Sequence, residues 1–337
     1  MEYRPYVGWC WSVSADNVCE QSDKINLKVE KKGRNAMRVP KIKFLIFVVA
    51  AFIALLYPPL VSAQPILGSA EDFAVLAGSG ITNTGSTTIT GNVGSHPTGS
   101  ITGKGPGADQ ITLTGSYHEA DATALAAKNA LSTAYTALNN MPATQTLTDA
   151  QLGGLTLTAG VYAFSGGPAA VLLDGMLTLN AQGNNNAYWV FQIPYALTTG
   201  VGSSVVVENF GSNGGKDDGL FWVVGSSAGI FGSTSFEGNI LTYASTTLYN
   251  NATILNGRAL AETGTVTMDT NTISNVCPIG GPGNGGPGYS GGLVYDSPGH
   301  IMAIGPSPGP SSVPEPSTMF LLGLGLAGLA GMRRKIH

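Results

Sequence analysis

Hydroxyl side chains recur at alternate positions in several short segments of this chain. Ser245 and Thr247 form one pair and Thr265 and Thr267 the next, with Ser227 and Thr198 before them. Each threonine carries an O–H donor, two acceptor lone pairs and a methyl group. On a strand, residues i and i+2 point to the same side about 6.7 Å apart, and neighbouring strands repeat every ~4.8 Å. A grid at these spacings holds an ordered layer of water, provided that it carries little charge.

Other chemistry lacks the residues it needs. Gly225-Ser226-Ser227-Ala228-Gly229 matches G-x-S-x-G, but that motif works on a turn between a strand and a helix. Here a further β-like run follows, and no histidine comes after it within the domain. His96 and His118 have no second ligand at metal spacing, and Lys104 lacks the Ser or Thr that follows a P-loop lysine. Gly214 to Gly219 (GGKDDG) occurs once, at the wrong spacing for a calcium-binding repeat, and reads as a turn. The chain is therefore read as non-catalytic, without cofactor or metal.

The hydroxyl pairs must be positioned by a repeat. Between 219 and 274, short apolar runs alternate with Gly, Ser and Thr, and Ile230 falls 18 residues before Leu248, Phe236 before Ile254, and Leu248 before Val266. A period near 20 in such segments indicates a β-solenoid, each coil resting on the next. With Leu248, Val266 and Met268 inward, the outward files are Ala196/Ser227/Ser245/Thr265 and Thr198/Gly229/Thr247/Thr267. A third file, Gly200/Phe231/Tyr249/Asp269, is bulky and charged, and so marks a rim. Further strands are expected at 73–78, 81–94, 110–115, 155–164, 170–181, 188–193 and 201–207, with turns at 184–186 and 212–219. One helix interrupts them. Ser116-Tyr117-His118-Glu119 has the form of a capping box. Ala120, Ala124, Ala127, Leu131, Ala134, Tyr135 and Leu138 then form a narrow stripe suited to packing on a flat solenoid face, and Pro142 closes the segment.

The ends read as processing signals. Residues 31–43 are basic, 44–56 apolar, and Val61-Ser62-Ala63 precedes Gln64, which is the three-part pattern of a secretory signal. Translation starts at Met1 or Met37. The expected divisions are 1–63, an N-terminal extension and signal peptide; 64–277, the solenoid; 278–312, a flexible Pro/Gly-rich spacer; and 313–337, a sorting tail. Charged residues make up 11% of the chain, well under the roughly 25% of an average soluble domain. From 64 to 278, four Lys/Arg face 13 Asp/Glu, which argues against nucleic acid as a partner. Cys277 is the one cysteine after the signal, so no disulfide forms within the domain.

Two resemblances add to this reading. Val313-Pro314-Glu315-Pro316-Ser317, the apolar residues 319–332 and Arg333-Arg334-Lys335 resemble the PEP-CTERM sorting signal. That resemblance implies export in a Gram-negative bacterium, processing by an exosortase-type enzyme, and secretion or cell-surface attachment. Residues 67–78 (LGSAEDFAVLAG), 153–164 (GGLTLTAGVYAF), 189–193 (WVFQI) and 238–261 together resemble the DUF3494 family of type 1 ice-binding proteins. This second resemblance covers roughly 67–275 and implies an all-β-dominated, irregular right-handed β-solenoid, triangular in section, with one long helix alongside. It also implies ice adsorption through one flat face, here the files bearing Thr198, Ser227, Ser245, Thr247, Thr265 and Thr267. The rival expectation is a structural or adhesive protein of the cell surface that binds exopolysaccharide.

Overall fold

The computed structural model describes residues 64–165, 170–277, 286, 288–297 and 299–304. The residues read as a secretory signal, within 1–63, and those read as a sorting tail, with Pro314, Glu315 and Pro316, lie outside them. The described strands of residues 73–274 coil into a parallel solenoid with three faces. One turn shows the plan: Gly219–Val224 runs along the first face, Ala228–Ile230 along the second, and the start of Ser235–Thr242 along the third. That last strand bends at Gly238 and continues as the first face of the next coil. The bend is crowded, since a Cβ on Gly257 would come within 1.9 Å of the Gly238 carbonyl oxygen.

Several apolar runs read as single strands are divided in the same way. Residues 81–94 form Gly80–Thr84, Thr87–Thr90 and Asn92–Ser95, one strand on each face. Gly85 (φ 65°) and Gly91 (φ 117°) make the corners, a conformation glycine adopts without steric cost. Apolar alternation continues through these corners, so periodicity alone did not reveal them.

The register keeps Ile230 opposite Leu248 and Phe236 opposite Ile254. Leu248, however, lies opposite Met268, and Val266 lies opposite Thr246. The spacing grows from 18 to 20 because two single residues are inserted. One enters at the bulge where Leu255 and Arg258 face Glu237 and Asn239, and the other at the corner after Ala261.

Chain order and coil order differ. Strands Phe73–Ala77, Gly80–Thr84 and Thr87–Thr90 stack beyond the coils formed by residues 253–274. Helix α1 (Ala122–Asn139) carries the chain back along the first face to the far end, where Gln145–Leu147 opens the next set of coils. Its 18 residues span about 27 Å. Ala124, Ala127, Leu131, Ala134 and Leu138 are buried, and the last four pack with Phe73, Val161, Val190, Phe221 and Leu241. The helix starts later than the capping-box pattern places it. Tyr117–Glu119 pairs as a strand with Asn92–Ser95, and Asp121 caps the helix by accepting from the Ala124 N–H at 2.8 Å. Pairing on the edge of Asn92–Ser95 supplies this segment's backbone groups with partners from another coil.

Inside the coil, Tyr162, Phe191, Trp222 and Phe236 form a continuous aromatic stack, with Phe191 and Trp222 4.2 Å apart and nearly parallel. Part of the expected spacer also belongs to the folded unit. Leu293–Ser297 pairs antiparallel with Gln64–Pro65 and with His300–Ala303. Tyr289 and Leu293 are each only 1% exposed, and Leu293 joins the apolar cluster of α1. Leu293, with the partly buried Val294, Tyr295 and Ile301, supplies the burial that composition concealed in this glycine-rich stretch.

Two buried acids make stability depend on pH. Burial pushes the Asp218 and Glu237 carboxyls up to about 7, from ordinary values of 3.8 and 4.5. The folded chain therefore keeps protons that the unfolded chain has lost, and stability falls as pH rises from about 4.5 to about 7. At about 1.4 kcal/mol per tenfold change in proton affinity, each acid is worth a few kcal/mol at most. Melting temperature is expected to fall across that window, and Asp218→Asn or Glu237→Gln to flatten the fall.

Candidate functional site

The second face is a six-stranded parallel sheet: Ala170–Leu173, Ala196–Thr199, Ala228–Ile230, Thr246–Leu248, Thr265–Asp269 and Gly80–Thr84. Its inner side is mostly apolar, with Thr199, Thr246 and Asn83 as buried polar members. Leu197, Ile230, Leu248, Val266 and Met268 are all buried in the coil. Alternation then points the residues between them outward, and Thr198, Ser227, Ser245, Thr247, Thr265 and Thr267 are all half-buried on this one surface. Pairing runs from Thr198 to Gly229, Thr247, Thr267 and Thr82 in one file. Thr265 pairs with Gly80 in the file beside it.

Two residues joining this surface were not named from the sequence, Thr82 and Thr84. They lie on Gly80–Thr84, which stacks against Thr265–Asp269 from the other end of the domain, with Thr84 donating to the Met268 carbonyl at 3.2 Å. Ile101 continues the sheet by pairing with Ile81, which brings Ser100 and Thr102 to its edge. The T-x-T of Thr82 and Thr84 was visible, but nothing in chain order places it next to Thr265 and Thr267.

The hydroxyls divide into two kinds. Ser227 Oγ accepts from the Ser245 N–H at 3.3 Å, and Ser245 Oγ accepts from the Thr265 N–H at 3.1 Å. These serines tie successive coils at the corner. Among the described residues, the hydroxyls of Thr82, Thr198, Thr247, Thr265 and Thr267 make no hydrogen bond to protein and remain for water. Ser245→Ala is accordingly expected to lower stability by about 1 kcal/mol, the usual net worth of one such bond. Chemical denaturation would read that loss, with the outward threonines left in place.

The third file is bulkier and carries a charge. Phe231 and Tyr249 stack at 4.4 Å. Asp269 lies opposite Thr84, and its Oδ1 accepts from the Thr270 hydroxyl at 3.0 Å. Ser227 leads directly into strand Ala228–Ile230, so the geometry of a nucleophilic elbow is missing at G-x-S-x-G. Among the described residues no three His, Cys, Asp or Glu side chains gather closely enough to hold a metal ion.

Comparison with known proteins agrees with this geometry. The Ice-binding-like family model matches residues 75–274, and a PEP-CTERM protein-sorting motif matches 312–335. An ice-binding protein of Nostoc sp. (strain HG1) is 40% identical over 233 residues, spanning 69% of this chain and 82% of that protein. One from Colwellia sp. is 32% identical over 223 residues, 62% of this chain and 82% of that protein. Among solved structures, an ice-binding protein from the Antarctic ascomycete Antarctomyces psychrotrophicus is 38% identical with a TM-score of 0.56, covering 62% of this chain and 96% of that one. The DUF3494 domain of Shewanella frigidimarina ice-binding protein 1 is 28% identical with a TM-score of 0.53, covering 63% and 97%. With a three-faced solenoid, a helix returning along one face and a family match over most of the folded unit, this chain belongs to the ice-binding-like (DUF3494) family.

Proposed function

We propose that this is an exported, non-catalytic protein that adsorbs to ice through its second face and so limits ice growth or recrystallisation. The observation that carries the proposal is the pair of outward files holding Ser227, Ser245, Thr247, Thr265 and Thr267, free of charged side chains and backed by a rigid apolar coil. Their repeats of about 4.8 Å and 6.7 Å lie close to oxygen spacings in ice, and a fixed backbone leaves little ordering to be done on binding. Thr198 and Thr82 extend the file at either end. The relatives named above are themselves ice-binding proteins, which favours ice over a polysaccharide as the partner.

The sorting motif supports export, followed by surface association and processing at Pro314-Glu315-Pro316 by an exosortase-type enzyme in a Gram-negative cell. An assay of ice recrystallisation with the purified chain, run beside a pull-down on insoluble polysaccharides, tests the functional reading. Smaller ice grains and no polysaccharide retention are expected. Retention on polysaccharide with unaltered grains would replace it with an adhesive role.

A further inference from the structure

The third face carries a second hydroxyl array that the second face does not explain. Its strands Thr272–Ser274, Thr87–Thr90 and Ile111–Thr114 stack in parallel register. Thr272, Thr88 and Thr112 form one file, and Ser274, Thr90 and Thr114 the file beside it. The first file continues through Thr253, Ser235 and Ser204, so six successive rungs present a hydroxyl. Between the two files, Ile273 and Ile89 are buried and their partner Leu113 packs partly buried against the same core, which fixes the outward direction of the grid. Thr88, Thr112, Thr114 and Thr272 are exposed, and Thr90 and Ser274 half-buried.

Two observations separate this grid from ordinary strand surface. Among the described residues, the hydroxyls of Thr88, Thr90, Thr112, Thr114 and Thr272 make no hydrogen bond to protein, so all five present donors and acceptors to solvent. The other half of the same face has the same backbone spacing but outward residues of mixed chemistry, including Met176, Val206, Glu208 and Leu255. Strand propensity acts equally on both halves, yet only one is a charge-free Ser/Thr grid.

The same coils carry both grids, with the file of Asp269 and the Asp109 carboxylate, which accepts from the Gly85 N–H at 2.7 Å, at the corner between them. The coil that presents Thr82 and Thr84 turns at Gly85 and Ser86 and then presents Thr88 and Thr90. The coil of Thr265 and Thr267 likewise leads into Thr272 and Ser274.

We propose that residues Thr272, Ser274, Thr88, Thr90, Thr112 and Thr114 form a second ice-adsorbing surface. The proposal rests on the reading of the second face, since both grids act by the same ordered-water chemistry. Two faces of a three-sided coil do not lie in one plane, so each engages a different ice surface. One molecule can then hold two crystal faces where grains meet.

The test uses the full chain, fluorescently labelled, as wild type, Thr247→Tyr, Thr88→Tyr and the double variant. Adsorption to a growing ice hemisphere is measured, with melting temperature and gel filtration as controls. Thr247→Tyr is expected to keep a residual signal that falls by about tenfold more in the double variant, equivalent to about 1.4 kcal/mol. Thr88→Tyr alone is expected to lose part of the signal. Adsorption abolished by Thr247→Tyr alone, or equal in Thr247→Tyr and the double variant, would overturn the second surface while leaving the first intact. A wild-type dimer disrupted by Thr88→Tyr would also overturn it, by assigning the grid to a second copy of the chain. Wild-type chain that stays in the melt would overturn the reading of the second face, and this proposal with it.

Discussion

Thr247→Tyr is expected to reduce thermal hysteresis about fivefold, a loss of about 1 kcal/mol of adsorption free energy, with the melting temperature unchanged. Thr247 sits mid-file, paired with Gly229 on one side and Thr267 on the other. Its side chain points away from the core, between inward Thr246 and Leu248. A tyrosine there raises an aromatic ring above a surface otherwise level with threonine methyls, and holds the water layer off its neighbours. The strand itself tolerates the change, because aromatic residues suit exposed strand positions and the stacked pair Phe231 and Tyr249 lies in the adjacent file. Nanolitre osmometry beside a thermal melt separates loss of adsorption from loss of fold.

Arg258→Met is expected to have the opposite signature, with stability lost and the second face untouched. Arg258 is 1% exposed, and burial holds its guanidinium down to about 10. Nε and Nη2 both donate to the Glu71 carbonyl, at 2.9 and 2.8 Å. Nη1 donates to Asn239 Oδ1 at 2.6 Å and to the Gly288 carbonyl at 3.0 Å. The side chain thus joins the start of the folded unit, a central coil and the segment following Cys277. Removing it leaves those carbonyls buried without their donor, at about 1–3 kcal/mol for each group that finds no water. A total near 3–5 kcal/mol is expected, summed over the Glu71, Asn239 and Gly288 oxygens. Melting temperature should then fall by roughly 10 °C, while protein still folded below the transition adsorbs as wild type does.

What the sequence disclosed follows from what each signal depends on. The outward files were legible because they rest on strict alternation within coils that are consecutive in the chain, such as 227–231, 245–249 and 265–269. The stacking of Gly80–Thr84 on Thr265–Asp269 was not legible, because it depends on α1 returning the chain to the far end of the solenoid. The helix start was displaced because Ser116 to Glu119 satisfies the local rule for a cap, while strand partners Asn92–Ser95 lie more than 20 residues away. The packing of Tyr289 and Leu293 was hidden for a related reason. Glycine and proline dominate the composition around them, and burial is decided by the few apolar side chains the segment carries.

Engagement of ice by this chain is read by growing a single-crystal ice hemisphere in a solution of the fluorescently labelled full chain. Dye engulfed in the ice on defined crystal planes is expected, with Thr247→Tyr markedly dimmer at equal concentration. Dye excluded into the melt by a folded wild-type chain would contradict engagement of ice.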